Sequence, residues 1–237
     1  MHLTVTSVDY RTHGIAAVTV ATEPSVASDG GDVVSAHLED GEGTEPEPTL
    51  ILGDTAMLHR LTRGRTLTPA EWEAIREEGR TGLAVRHAMN MVARKPRSES
   101  EIKRVLVNHE AAFDASEVEA AMARLRDLGA VDDSRWASTY VAQPRAAGRG
   151  AKLLRRELGQ RGVQSADVAA ALDGRDEAAE ALAAALKRVR SLRGLAPDAA
   201  RRRLHDFLRR RGFDDSAARR AMDTALAELL AESPTEA

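Results

Sequence analysis

Residues 154–172 read LRRELGQRGVQSADVAAAL, and their apolar positions Leu154, Leu158, Val163, Val168 and Leu172 are separated by four, five, five and four. A step of four keeps two apolar side chains on one stripe of a helix. A step of five that contains Gly162-Val163 is a helix end, where glycine takes the left-handed position and the next apolar residue packs back. The stretch therefore predicts helix, tight turn, helix. Fifty residues on, the same steps return as Leu204, Leu208, Phe213, Ala218 and Met222, with Gly212-Phe213 at the turn. A looser copy lies upstream at Ile102, Leu106, Phe113, Val118 and Met122, where the second step has grown to seven. Repetition near fifty residues points to stacked helical modules rather than one globular core.

The 237 residues are enough for one or two domains with real cores. With 43% hydrophobic and 30% charged residues the chain reads as folded and soluble. Only three Phe, two Tyr and two Trp are present, so the cores are expected to be Leu, Val, Ala and Met. There is no cysteine, which excludes disulfides, thiolate metal sites and cysteine nucleophiles, and fits a reducing cytoplasm. No window approaches eighteen apolar residues, and no basic-then-apolar leader opens the chain, so neither a membrane span nor a signal peptide is expected. The net charge of −3 hides an asymmetry: residues 1–82 hold 6 basic against 14 acidic side chains, and residues 83–237 hold 28 against 23. An acidic front and a basic back suggest two units, the basic one suited to an anionic partner.

Taken in order, residues 3–10 and 15–22 are β-branched and flank His13-Gly14, which predicts a hairpin. Residues 27–48 are read as acidic loops around a possible strand at 33–38, Thr49 to Leu52 as a short strand, and Asp54 as the cap of a helix to about Thr62. Thr68-Pro69-Ala70-Glu71 is a capping box with proline at the first helical position. The predicted architecture is mainly α: an α+β front at 1–82, then three-helix modules at 83–131, 132–176 and 177–230, and a frayed tail at 231–237. Ser98 with Glu101, Asp114, Asp132-Asp133, Ser165, Pro197 and Asp214 are the predicted helix starts, and Pro144 a forced stop.

No catalytic constellation emerges. There is no phosphate-binding glycine loop ending in Lys-Ser or Lys-Thr, His109-Glu110 lacks the second histidine of a zincin motif, and Ser100 to Lys103 matches a β-lactamase tetrapeptide without its companions. No enzyme activity, metal or cofactor is expected. The arginines say more. Arg149, Lys152 and Arg156, spaced three and four, fall on one face of a helix whose other face carries Leu154 and Leu158; Arg145, Arg155 and Arg161 add to the charge. Residues 187–211 carry ten basic side chains, among them Arg202, Arg203, Arg209 and Arg210, against Asp198 and Asp206. Asp206 is spaced to pair with Arg202, Arg209 or Arg210, yet two acids cannot neutralise ten bases. Such strips are either solvated faces or contacts for a phosphate backbone or an acidic protein surface.

Three blocks carry a resemblance to the RecX family, regulators of the bacterial recombinase RecA: Leu128 to Ala137, Gly148 to Leu158 with Arg161-Gly162-Val163, and Arg201 to Arg211 with Gly212-Phe213. Arg94 to Ser98 with Glu101 is similar to the family's opening. The likeness covers about residues 84–228 and departs from the pattern at His109 to Phe113, where the family usually has glycine and less length, and at Pro144. The resemblance implies an elongated, curved array of three modules, a cytoplasmic monomer that lodges in the groove of a RecA filament on DNA. There it would limit filament growth, strand exchange, ATP hydrolysis and SOS co-protease activity. The alternative left by the residues alone is a sequence-nonspecific DNA-binding helical repeat that acts without RecA.

Overall fold

The computed structural model describes residues 2–23 and 46–231. The strand read at 33–38 and the tail from 232 onward fall outside those residues. The described chain is mostly helical and begins with a small antiparallel sheet. Strands β1 (His2–Arg11) and β2 (Ile15–Glu23) form the expected hairpin, turning through His13 and Gly14 with φ of 67° and 65°. Strand β3 (Thr49–Leu52) pairs with β2, and β4 (Thr66–Leu67), which the sequence reading missed, pairs with β1; the order is β3-β2-β1-β4.

Helix α1 (Gly53–Leu58) is shorter than expected and has no side-chain cap; Asp54 lies inside its first turn. Arg60 takes a left-handed φ of 48° and sends Leu61 into the core, with the Leu61 amide on the Ala56 carbonyl, so the helix cannot reach Thr62. Helix α2 (Pro69–Arg94) starts at the predicted Thr68–Glu71 capping box. It then runs unbroken through residue 82, where the front was expected to end. Gly79 and Gly82 mark close packing against Ile51 and Leu52. A Cβ on Gly79 would lie 2.6 Å from the Ile51 side chain, so α2 can cross β3 only with hydrogen there. The sheet and helices close over Val5, Ile51, Leu67, Trp72 and Ile75.

Helices α3 (Glu99–Val107) and α4 (Ala115–Asp127) follow, then α5 (Asp133–Ala142), α6 (Ala151–Gln160) and α7 (Ser165–Leu172), then α8 (Glu177–Val189), α9 (Pro197–Arg210) and α10 (Asp215–Ala231). Asp114, Asp132 and Asp176 cap α4, α5 and α8 with side-chain oxygens. The chain divides into two compact units, residues 1–95 with 103–130 and residues 96–102 with 131–237. Within the second unit each trio has its own core. Leu154, Leu158, Val163, Val168 and Leu172 share one cluster with Tyr140, and Leu204, Leu208, Phe213, Ala218 and Met222 share the other. At the α6 and α9 ends, Val163 and Phe213 donate to the Leu158 and Leu208 carbonyls, with Gly162 and Gly212 at φ of 77° and 82°. Both are Schellman turns, as the five-residue steps require. The turn after α3 has no such glycine; Ala112 takes a φ of 46° and the His109 imidazole accepts the Ala111 amide.

Candidate functional site

The ten basic residues picked out in the sequence separate into two groups. Arg149 precedes Gly150, the extended N-cap of α6, so it is not on that helix's wheel. Its guanidinium lies 2.6 Å from Glu157, which also accepts the Tyr140 hydroxyl. Arg161 lies 2.5 Å from Glu101 and 5.5 Å from the Tyr140 ring, over which Arg145 also sits, 4.7 Å away. Lys152 reaches Asp214 at 3.2 Å. These four cations are spent on the fold's own acids and rings.

The other six, Arg155, Arg156, Arg202, Arg203, Arg209 and Arg210, are exposed and have no ion pair among the described residues. Leu154 and Leu158 anchor α6 and Ala200, Leu204 and Leu208 anchor α9, which turns those arginines to solvent. Asp206 pairs with none of its expected partners. Arg202 stands N-terminal to it, the weaker orientation for a helical ion pair. Arg209 and Arg210 sit in the last turn of α9, where the helix dipole favours cations. Phe207 is only half buried, with the Arg188 and Arg211 guanidiniums 5.7 and 5.2 Å from its ring.

Helices α6 and α9 are held end to end by backbone bonds. Gly150 donates to the Arg211 carbonyl at 2.8 Å and Lys152 to the Gly212 carbonyl at 3.1 Å, while Glu177 accepts from Ala151 and Asp214. A Cβ on Gly150 would fall 2.2 Å from the Phe213 nitrogen, so no other residue fits there without displacement. The joint recurs one step earlier in the same unit. Ser98 donates to the Arg161 carbonyl at 2.6 Å, and Asp133 accepts the Glu99 amide at 2.8 Å. Burial raises the Asp133 carboxyl above its ordinary range despite that bond. Asp214 is drawn down to about 2, first by hydrogen bonds from Ser216 and then by Lys152.

Residues 176–222 match the model of the third three-helix domain of RecX. A regulatory protein RecX from Chlorobaculum tepidum is 30% identical over 158 residues, which cover 66% of this chain and 97% of that protein. The chain belongs to the RecX family. RecX of Stenotrophomonas maltophilia strain K279a is 35% identical over 138 residues, 58% of this chain and 83% of its own. Two crystal structures of RecX share the fold. One has a TM-score of 0.61 at 19% identity over 93% of this chain and 99% of its own. The other, from Lactobacillus salivarius, has 0.54 at 18% identity over 64% and 97%. RecX proteins are named as regulators, and no helix among the described residues of this one is long and apolar enough to cross a membrane.

Proposed function

We propose that this RecX-family chain is a non-enzymatic regulator that binds RecA filaments on DNA and restrains them. The trios at 83–131, 132–176 and 177–230 would act as successive modules lodged in the filament groove. The observation that carries this reading is the set of six exposed, unpaired arginines on α6 and α9. The interior pairs of Arg149 and Arg161 hold the scaffold, and the open arginines meet phosphate or acidic protein surface. Cosedimentation with RecA assembled on single-stranded DNA tests it. Wild-type chain is expected to pellet with filaments, and Arg155→Glu/Arg156→Glu and Arg202→Glu/Arg203→Glu to stay in the supernatant. Equal pelleting of all three would remove these helices from the interface.

A second reading, DNA binding without RecA, is favoured by the same arginines, because each is free to neutralise a phosphate. Its mark is tight binding to DNA alone, with a log–log salt slope that falls by about 0.9 for each duplex-phosphate contact removed. Affinity for DNA alone that does not change with salt would reject it.

A further inference from the structure

A cavity of about 340 Å³ opens in the first unit, away from the arginines of α6 and α9 in sequence. Its polar lining is His13 from the β1–β2 turn, Arg86, His87, Asn90 and Arg94 along α2, and His109 after α3. No acidic side chain among the described residues lines it, and Met91 and Leu106 give it an apolar wall. Arg86 is steadied at this cavity by a 3.0 Å bond to the Gly14 carbonyl. Arg94 and Asn90 are exposed, with no partner among the described residues. The His109 Nδ1 accepts the Ala111 amide, which leaves the ring proton on Nε2. The His87 ring lies 4.1 Å from that of His109 and 6.0 Å from that of Phe113, and its Nε2 is closed to solvent with no hydrogen bond.

We propose that this cavity binds a phosphate-type oxyanion, free or carried on a small ligand such as a nucleoside monophosphate. Two guanidiniums, an amide and imidazole groups line it with no carboxylate among the described residues, and charge-assisted bonds from such donors are the strong ones. The volume is that of a small ligand pocket. The titrating groups around the site fit the same reading. Burial, then His109 and Arg86, hold His87 below the usual histidine range, while Glu110 pulls weakly the other way. An anion in the cavity opposes that effect by favouring the charged His87 ring. Binding therefore strengthens as the pH falls.

Calorimetric titration of the full chain tests this with sulfate, whose charge is constant from about pH 5.5 to 8, against chloride at matched ionic strength. Saturable one-site binding is expected, tighter by about fivefold at the acid end, and weaker by about tenfold in Arg94→Ala or Asn90→Ala, which remove exposed donors without touching the core. His87→Gln keeps binding with a smaller pH dependence, and Arg155→Glu/Arg156→Glu changes neither. Inorganic phosphate and adenosine monophosphate then separate the two sources: equal affinity assigns the free ion, and tighter nucleotide binding assigns a carried phosphate. A sulfate response no larger than that of chloride, or Arg94→Ala and Asn90→Ala both indistinguishable from wild type, would overturn the proposal.

Discussion

The Gly150 amide donates to the Arg211 carbonyl across 2.8 Å, so the N-terminus of α6 is closed by the turn that ends α9. A helix start leaves backbone donors without partners, and here the following trio supplies them. One step earlier Asp133 accepts the Glu99 amide at the start of α3 at 2.8 Å, and the Ser98 hydroxyl donates to the Arg161 carbonyl at 2.6 Å. Stacking is thus written into backbone geometry, and the arginines between the joints are left for other work.

Gly150→Ala is expected to destabilise the protein by about 1–3 kcal/mol, because its Cβ has no room against Phe213 and Gly212. Gly159→Ala, inside α6 with nothing within 4 Å of the added carbon, is expected to stabilise it by about 0.5–1 kcal/mol. Urea unfolding midpoints of the two variants, moving in opposite directions, check the joint.

Arg80 and Glu117 form a buried pair, with side chains 10% and 4% exposed, and Arg80 also donates to the Ala111 and Ala112 carbonyls. Glu117→Ala leaves that guanidinium buried without its carboxylate and is expected to cost about 3–5 kcal/mol. A double change to Met at both positions should recover much of that loss, because no orphaned charge remains. Chemical denaturation of the single and double variants decides between these outcomes.

Two carboxyls at the joints have opposite pH signatures. Asp214, drawn down to about 2, adds stability above its ordinary pKa that is lost as the pH falls toward 2. Carbon-detected NMR titration should place its midpoint near 2 and show it rising in Ser216→Ala. Asp133 is raised, so its contribution is full below the ordinary aspartate pKa and is lost as the pH rises through the folded value. At neutral pH Asp133→Asn, which still accepts the Glu99 amide, should therefore be tolerated, whereas Asp133→Ala should cost about 1 kcal/mol.

His87 is depressed in the folded chain, so the unfolded chain binds its proton first as the pH falls. Stability is expected to decline through the ordinary histidine range and to level off once the folded value is passed. Melting temperatures measured from pH 8 to 5 in chloride buffer should fall less in His87→Gln than in wild type.

Much of the helical layout was legible because its signals are local. The steps of Leu154 to Leu172 place both helices and the glycine between them, and Asp114 and Asp132 announce their caps. The unbroken run of α2 through residue 82 was not legible, because only the position of Ile51 shows that Gly79 serves a close crossing. At the site, the exposure of Arg155 and Arg156 followed from the apolar stripe opposite. The inward turn of Arg149 did not, since the helical wheel was carried one residue past the N-cap. The Arg80–Glu117 pair spans 37 residues, and the His87–His109 contact joins α2 to the turn after α3. Both depend on how helices pack, which no periodicity in a single segment records.

Under the proposed function the open arginines of α6 and α9 would let this RecX-family chain restrain RecA. RecA's DNA-dependent ATP hydrolysis, followed with increasing amounts of wild-type chain or a variant with Arg155, Arg156, Arg202, Arg203, Arg209 and Arg210 all changed to Glu, tests it most directly. Strong slowing by wild type well below one molecule per RecA is expected, with little effect of a folded variant. Unchanged hydrolysis at equimolar wild type, or equal slowing by both chains, would contradict it.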